Sequence, residues 1–273
     1  MRTRSLLLFL VITLSPCVTR AQTTTASKDT TAVALLSQAV NVLSQAVPVN
    51  SITLTATATR TAGSDVETGT ATLEALSGEA SRVSLALTDG QQSETINQSQ
   101  AAPGGQWSGT DGSVHPMALH NSMIPASWFF PALALAQAIN DPSISITYIG
   151  QETLDGEVVQ RVRFWRILRG EAGTPEDLAR FHDLSAADVY LDASNSLPVE
   201  LDFNLHPDNN LSVDIPAEIQ YSGYQKIGGI LLPARIQKSL NHSVILDLNV
   251  TGAAVNTNLS PADFAVAATA TGN

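Results

Sequence analysis

The chain has 273 residues and a mass of 28.8 kDa, enough for one large β domain or two small ones. It carries 14 Lys plus Arg against 25 Asp plus Glu, and the first 21 residues hold three of those positives and no acid. So acidic a chain lacks the positive footprint that phosphate recognition needs, which excludes a nucleic-acid binder; with 44% hydrophobic and 14% charged residues, disorder throughout is excluded too.

Arg2 and Arg4 precede an apolar run from Leu6 to Leu14, followed by Ser15-Pro16 and Thr19-Arg20-Ala21. This is the pattern of a secretory signal over residues 1–21, with cleavage expected after Ala21. The run is too short for a bilayer, which takes about 20 residues. The mature chain is therefore expected to be exported, periplasmic or extracellular, with no transmembrane segment. Cys17 is the single cysteine. Leu14-Ser15-Pro16-Cys17 is close to a lipobox, but Pro16 stands where a small residue belongs, so lipid anchoring at Cys17 is the minor reading. Cleavage leaves no cysteine for a disulfide, a nucleophile or a thiolate zinc site.

Residues 22–28 form a polar lead. From Asp29, Val33, Leu36, Val40, Leu43 and Val47 recur at three- and four-residue steps, which predicts an amphipathic helix capped by Asp29 or Thr31 and stopped by Pro48. The period then changes to two. Ile52, Leu54, Ala56 and Ala58 alternate with threonines; Gly69 to Ala75 and Val83 to Leu87 follow, with Asp89-Gly90 as a hairpin turn and Asp111-Gly112 as another. Consecutive hairpins predict an antiparallel meander with one buried face.

Residues 112 to 140 contain no Asp, Glu, Lys or Arg. Ile124 to Ile139 reads IPASWFFPALALAQAI, and Pro131 must kink or restart any helix there. Strands resume at Ile144–Ile149 and Val158–Leu168, and Thr174-Pro175 with Asp177 opens a short helix. Four more alternating runs follow: Val199–Leu205, Leu211–Tyr221, Ile230–Ile236 and Val244–Val250. The total is roughly ten or eleven strands in one domain over residues 29–266, with a flexible tail over 267–273. So long an antiparallel sheet must curl, and the two helical segments are the available covers for its concave face.

Asp188-Val-Tyr-Leu-Asp192 with Ser196-Leu-Pro198-Val-Glu-Leu, Gly228-Gly229-Ile230-Leu-Leu-Pro233, and Asn258-Leu-Ser-Pro-Ala-Asp263-Phe264 are three local features in this order of elements. Together they resemble the LolA/LolB-like lipoprotein-carrier superfamily over most of residues 28–266. The resemblance implies a mainly β fold with a few helices: a curled antiparallel sheet, an unclosed half-barrel, covered by an N-terminal helix and a central helical insertion. It also implies an apolar cavity for acyl chains or other lipids, and a non-catalytic role.

The residues offer little chemistry beside this. There is no Gly-x-Ser-x-Gly, P-loop or dinucleotide-binding glycine pattern, and no zincin spacing among five histidines. No cofactor or metal is expected. The acid pairs Asp188/Asp192 and Glu200/Asp202 read as a solvated outer strand face, opposite the apolar residues. Arg161, Arg163, Arg166 and Arg169 have two readings: pairing with neighbouring acidic strands, or a cationic rim for an anionic head group. Five Asn-x-Ser/Thr sequons begin at Asn97, Asn210, Asn241, Asn249 and Asn258; they matter where the host glycosylates exported chains. The expected ligand-binding residues are Trp128, Phe129, Phe130, Leu133, Leu135 and Ile139 as lid and lining, with Arg161 and Arg163 at the mouth. The expected partner is a hydrophobic small molecule or lipid. The alternative is an envelope structural or protein-interaction module whose interior is filled by its own side chains, with envelope proteins as partners.

Overall fold

The computed structural model describes residues 25–45, 47–99, 104–167 and 174–266. The expected signal segment with Cys17, the start of the polar lead, Arg169 and the 267–273 tail lie outside them. The first helix, α1, is Thr30–Ser44, and the Asp29 carboxylate accepts from Ala32 N at its start. Its buried stripe is Ala32, Leu36, Ala39 and Leu43, with Val33 and Val40 packed at the margin. The helix ends before Val47, because Gln45 turns left-handed at φ 52°.

A meander follows: β1 (Ser51–Ala62), β2 (Asp65–Leu76), β3 (Ala80–Leu87), β4 (Gly90–Asn97), β5 (Gly104–Ser108) and β6 (Val114–Met117). A 3₁₀ turn at Leu119–Met123 and helix α2 (Pro131–Asn140) come next. Pro131 occupies the first helical turn, where its missing N–H costs nothing, so the proline restarts the helix and does not break it. Then come β7 (Ile144–Leu154), β8 (Glu157–Arg166), α3 (Pro175–Ser185), β9 (Ala187–Asp192), β10 (Pro198–Leu205) and β11 (Ile215–Ser222). The chain closes with β12 (Gln225–Ile227), β13 (Ile230–Leu232), β14 (Arg235–Leu240), β15 (Ser243–Val255) and a 3₁₀ turn at Pro261–Phe264.

Thirteen strands form one antiparallel sheet in the order β6-β5-β4-β3-β2-β1-β15-β14-β11-β10-β9-β8-β7. The strands outnumber the ten or eleven expected because β5 and β6 are short and because Pro233 splits the run from Ile230 to Ile236. The detached piece pairs with β12 as a separate hairpin. Gly228 and Gly229 make its turn at φ 61° and 88°, which other residues adopt poorly. Leu211 and Val213, expected in a strand, lie in an exposed loop before β11.

The two ends of the sheet, β6 and β7, do not pair with each other, and the segment carrying α2 joins them. That connection draws α2 across the concave side, where α1 packs on it and on β7 and β13. The free edge of β7 is partly covered: Asp29 N donates to Ile146 O at 3.0 Å, and Ile146 N to Ser27 O at 2.8 Å. One hydrophobic cluster fills the space between sheet and helices, running from Leu36 and Leu43 through Phe129 and Leu135 to Phe203 and Leu248.

Candidate functional site

Directly opposed residues of an antiparallel pair point to the same face. Val83 opposes Leu73, a core residue, on one side and Glu94 on the other; Glu94 opposes Trp107. Val83, Glu94 and Trp107 therefore face the concave side. On the other flank, Lys238 opposes Leu246, which opposes Arg60. Between these flanks the packing leaves a cleft of about 380 Å³, roofed by Trp128 and walled by Val83, Leu85, Leu240 and Leu246. The volume lies at the small end of the range for ligand pockets. The cleft opens at the end of the sheet formed by the β1–β2 and β14–β15 turns.

Trp128 is held from several sides. Its carbonyl accepts from the Tyr221 hydroxyl, its ring meets Phe129 edge-on at 5.5 Å, and the Lys238 ammonium lies 4.9 Å from its ring centroid. Burial drives the Tyr221 phenol far above its ordinary range, so the hydroxyl keeps its proton and donates it to that carbonyl.

The structure separates the eight residues singled out from the sequence. Trp128 lines the cleft. Phe129 and Phe130 are 0% and 1% exposed, and both belong to the packed core, as does Leu135. Leu133 faces a different hollow, between α2 and the turns at 77–79 and 98–99, and Ile139 packs against the core margin. Arg161 and Arg163 stand on the opposite, convex face, since Val162 and Phe164 between and beside them are in the core. Both donate to Asp188: Arg161 Nη2 to Oδ2 at 2.5 Å, and Arg163 through Nε at 2.8 Å and Nη2 at 2.7 Å. Lys238 and Arg60 were not singled out. Their signal was a charge at an inward phase: Ile236-x-Lys238-x-Leu240 and Ala56-x-Ala58-x-Arg60.

The convex face differs from the solvated acidic surface expected there. Asp188 and Glu200 are 7% exposed, because α3 packs over β8 and β10. Burial pushes the Asp188 carboxyl up, but the hydrogen bonds and charges of Arg163 and Arg161 outweigh it and hold the group below the ordinary range. Asp202 has no such partner. Burial first, and the Glu200 carboxylate second, raise it to about 7. Its Oδ1 is buried without a hydrogen bond.

A convex hollow of about 700 Å³ beside these residues also gathers His182, Asp183, His206 and Ser212, residue types that a hydrolytic centre uses. His182 Nδ1 meets its neighbour Asp183 at 2.9 Å, and His206 Nε2 meets Asp214 at 3.1 Å. Among the described residues no serine hydroxyl bonds either ring. The serine–imidazole contact that does exist, Ser113 Oγ to His115 Nε2 at 2.8 Å, has Asp111 on the serine and not on the imidazole. That arrangement orients no base. No group of His, Cys, Asp and Glu suited to a metal ion occurs among the described residues.

Compared with solved structures, the chain is similar to a LolA superfamily protein from Nitrosomonas europaea, with a TM-score of 0.52, 14% identity, and coverage of 86% of this chain and 97% of that one. The fold is LolA-like. Looser similarities reach an outer-membrane lipoprotein-sorting protein domain from Vibrio parahaemolyticus (TM-score 0.46, 12% identity, 79% and 88% covered) and a DUF1329 family protein from Desulfovibrio piger (0.44, 13%, 86% and 97%). No protein-family model and no curated protein matches the sequence. Within the LolA-like fold, all three sequence features have structural roles. The Asp188–Leu201 segment is the β9–β10 hairpin, Ser196 N donating to Asp192 O at 2.8 Å in its turn. The Gly228-Gly229 segment is the small hairpin under α1. The Asn258–Phe264 segment ends in a 3₁₀ turn whose Phe264 is 0% exposed, its carbonyl accepting from Asn97 Nδ2 at 2.9 Å.

Proposed function

We propose that this chain is an exported, non-catalytic binding protein. In this reading a single half-barrel domain over residues 29–266 holds the hydrocarbon part of a lipid in the concave cleft beside Trp128. The observation that carries the reading is the cleft itself. Phe129, Phe130 and Leu135 pack into the concave face, whereas Leu85, Leu240 and Leu246 face an opening. Covering them with a chain removes apolar area from water, worth about 0.8 kcal/mol per CH₂. The LolA-like fold and the resemblance to lipoprotein carriers support a role in lipid or lipoprotein handling at the cell envelope. The packed interior supports a second reading, an interaction module of the envelope, in which the cleft seats a partner's apolar side chain.

The two readings separate in one experiment. The chain is purified from its native compartment without detergent, extracted with organic solvent, and the extract is analysed by mass spectrometry. A stoichiometric lipid is expected, and Leu85→Gln, which wets the half-buried wall, is expected to lose it while keeping its circular-dichroism spectrum. A clean extract, with no uptake of a fluorescent fatty acid by the folded protein, would sink the lipid reading in favour of the interaction module.

A further inference from the structure

One row of side chains crosses the concave face at the open end of the cleft: Ile219 opposes Lys238, Lys238 opposes Leu246, Leu246 opposes Arg60, and Arg60 opposes Glu67. Two cations in this row receive different treatment. Arg60 Nη1 pairs with Glu67 Oε1 at 3.1 Å. Lys238 is 7% exposed, and among the described residues no hydrogen bond or ion pair reaches its ammonium. Glu94, the other acid facing the cleft, stands on the far wall and makes no ion pair with it.

The Lys238 stem is covered, and its ammonium, beside an apolar cleft and without a counter-ion, carries an uncompensated charge at a cost. The Trp128 ring face offsets part of that cost, but it supplies neither a full charge nor an acceptor for three N–H donors. A second donor next to it is also unmet, since Trp128 Nε1 is buried with no partner. Apolar wall and unmatched cation meet beside the Trp128 ring in one cleft.

We infer that the cleft takes an anionic amphiphile. A single hydrocarbon chain lies against Leu85, Leu240 and Leu246, and its carboxylate or phosphate head pairs with the Lys238 ammonium. This deepens the lipid-holding reading and rests on it. The small volume favours one chain over several. Arg161 and Arg163 take no part, being on the other face and matched by Asp188.

The test is titration calorimetry of the delipidated mature chain at neutral pH. Dodecanoate, dodecyl phosphate and dodecanol are the probes, each below its micelle concentration. At least one anion is expected to bind about tenfold or more tightly than the alcohol, as a hydrogen bond to a charged group implies. Lys238→Met should abolish that preference, while Lys238→Arg should retain it; circular dichroism verifies that both variants fold. The tighter of the two anions identifies the head group. Equal binding of all three by the wild type, or a preference that survives Lys238→Met, overturns this inference and leaves the lipid-holding reading standing. Binding of none of the three overturns both.

Discussion

Two neighbouring carboxylates on the convex face show how placement sets the behaviour of one chemical group. Asp188 is buried with two guanidiniums upon it and stays ionised. Asp202, opposite it in the ladder, is buried beside other carboxylates and titrates near 7. Its ordinary value in the unfolded chain is 3.8, so between about pH 4 and about pH 7 the folded form holds a proton that the unfolded form has released. Stability therefore falls through this group as pH rises across that window. Asp202→Asn keeps the shape without the charge. It is expected to be more stable than the wild type near pH 7, by about 1–2 kcal/mol once solvent relaxation around a partly buried group is allowed for, and equal to it near pH 4. Urea unfolding curves at the two pH values check this. A constant difference at both would remove the charge as the cause.

Among the elements, α1 depends most on its terminus. It has no acid in its first turn and no base in its last, so macrodipole compensation is missing and the Asp29 cap stands alone. The Asp29 backbone also ties the helix start to β7 through Ile146. Replacing the side chain leaves that tie intact and removes only the cap. Asp29→Ala is expected to cost about 1 kcal/mol, read as a lower denaturation midpoint with an unchanged slope. Helix α3 is the contrasting case. Its Thr174/Asp177 capping box is complete, and this polar helix with an amphipathic face lies on the outside of the sheet, where it turns an otherwise solvated strand face into a buried charge network. Thr174, Pro175 and Asp177 mark α3 as an element in the sequence, but they carry no information on what it covers.

At the scale of the molecule, the sheet is open and its two edges are unequal. The β7 edge is covered by residues 27–29, whereas β6 is four residues long and mostly exposed. The middle of the sheet, β1 with β2 and β15, contains the longest ladder, β1–β2. Amide hydrogen exchange is expected to be slowest in β1, β2 and β15 and fastest in β5 and β6, because opening an edge exposes few buried contacts. Uniform protection across all thirteen strands would contradict this order. The cleft lies between the two regimes, its β3–β5 wall toward the softer edge and its β14–β15 wall in the stable middle. In the proposed reading, entry of a lipid calls for movement of only one wall.

Local pattern was enough for most of the architecture. Period 3.6 from Val33 to Leu43, period 2 along the strands and the Asp89-Gly90 turn are each decided within a few residues of chain, so the sequence alone determined them. It likewise determined the acidic balance and the residue order that resembles lipoprotein carriers. Lys238 and Asp188 were decided elsewhere. Alternation tells which residues share a face, but only the partner strands and the covering helix tell whether that face meets water, a counter-ion or nothing. For the arginines at 161 and 163 the answer is Asp188 from β9, 27 and 25 residues away. For Lys238 it is the ring of Trp128, brought from the other side of the molecule because α2 must cross the open side to join β6 to β7. Burial and charge pairing are properties of long-range contacts, and that is why tertiary structure, and not sequence, located the cleft and its unmatched cation.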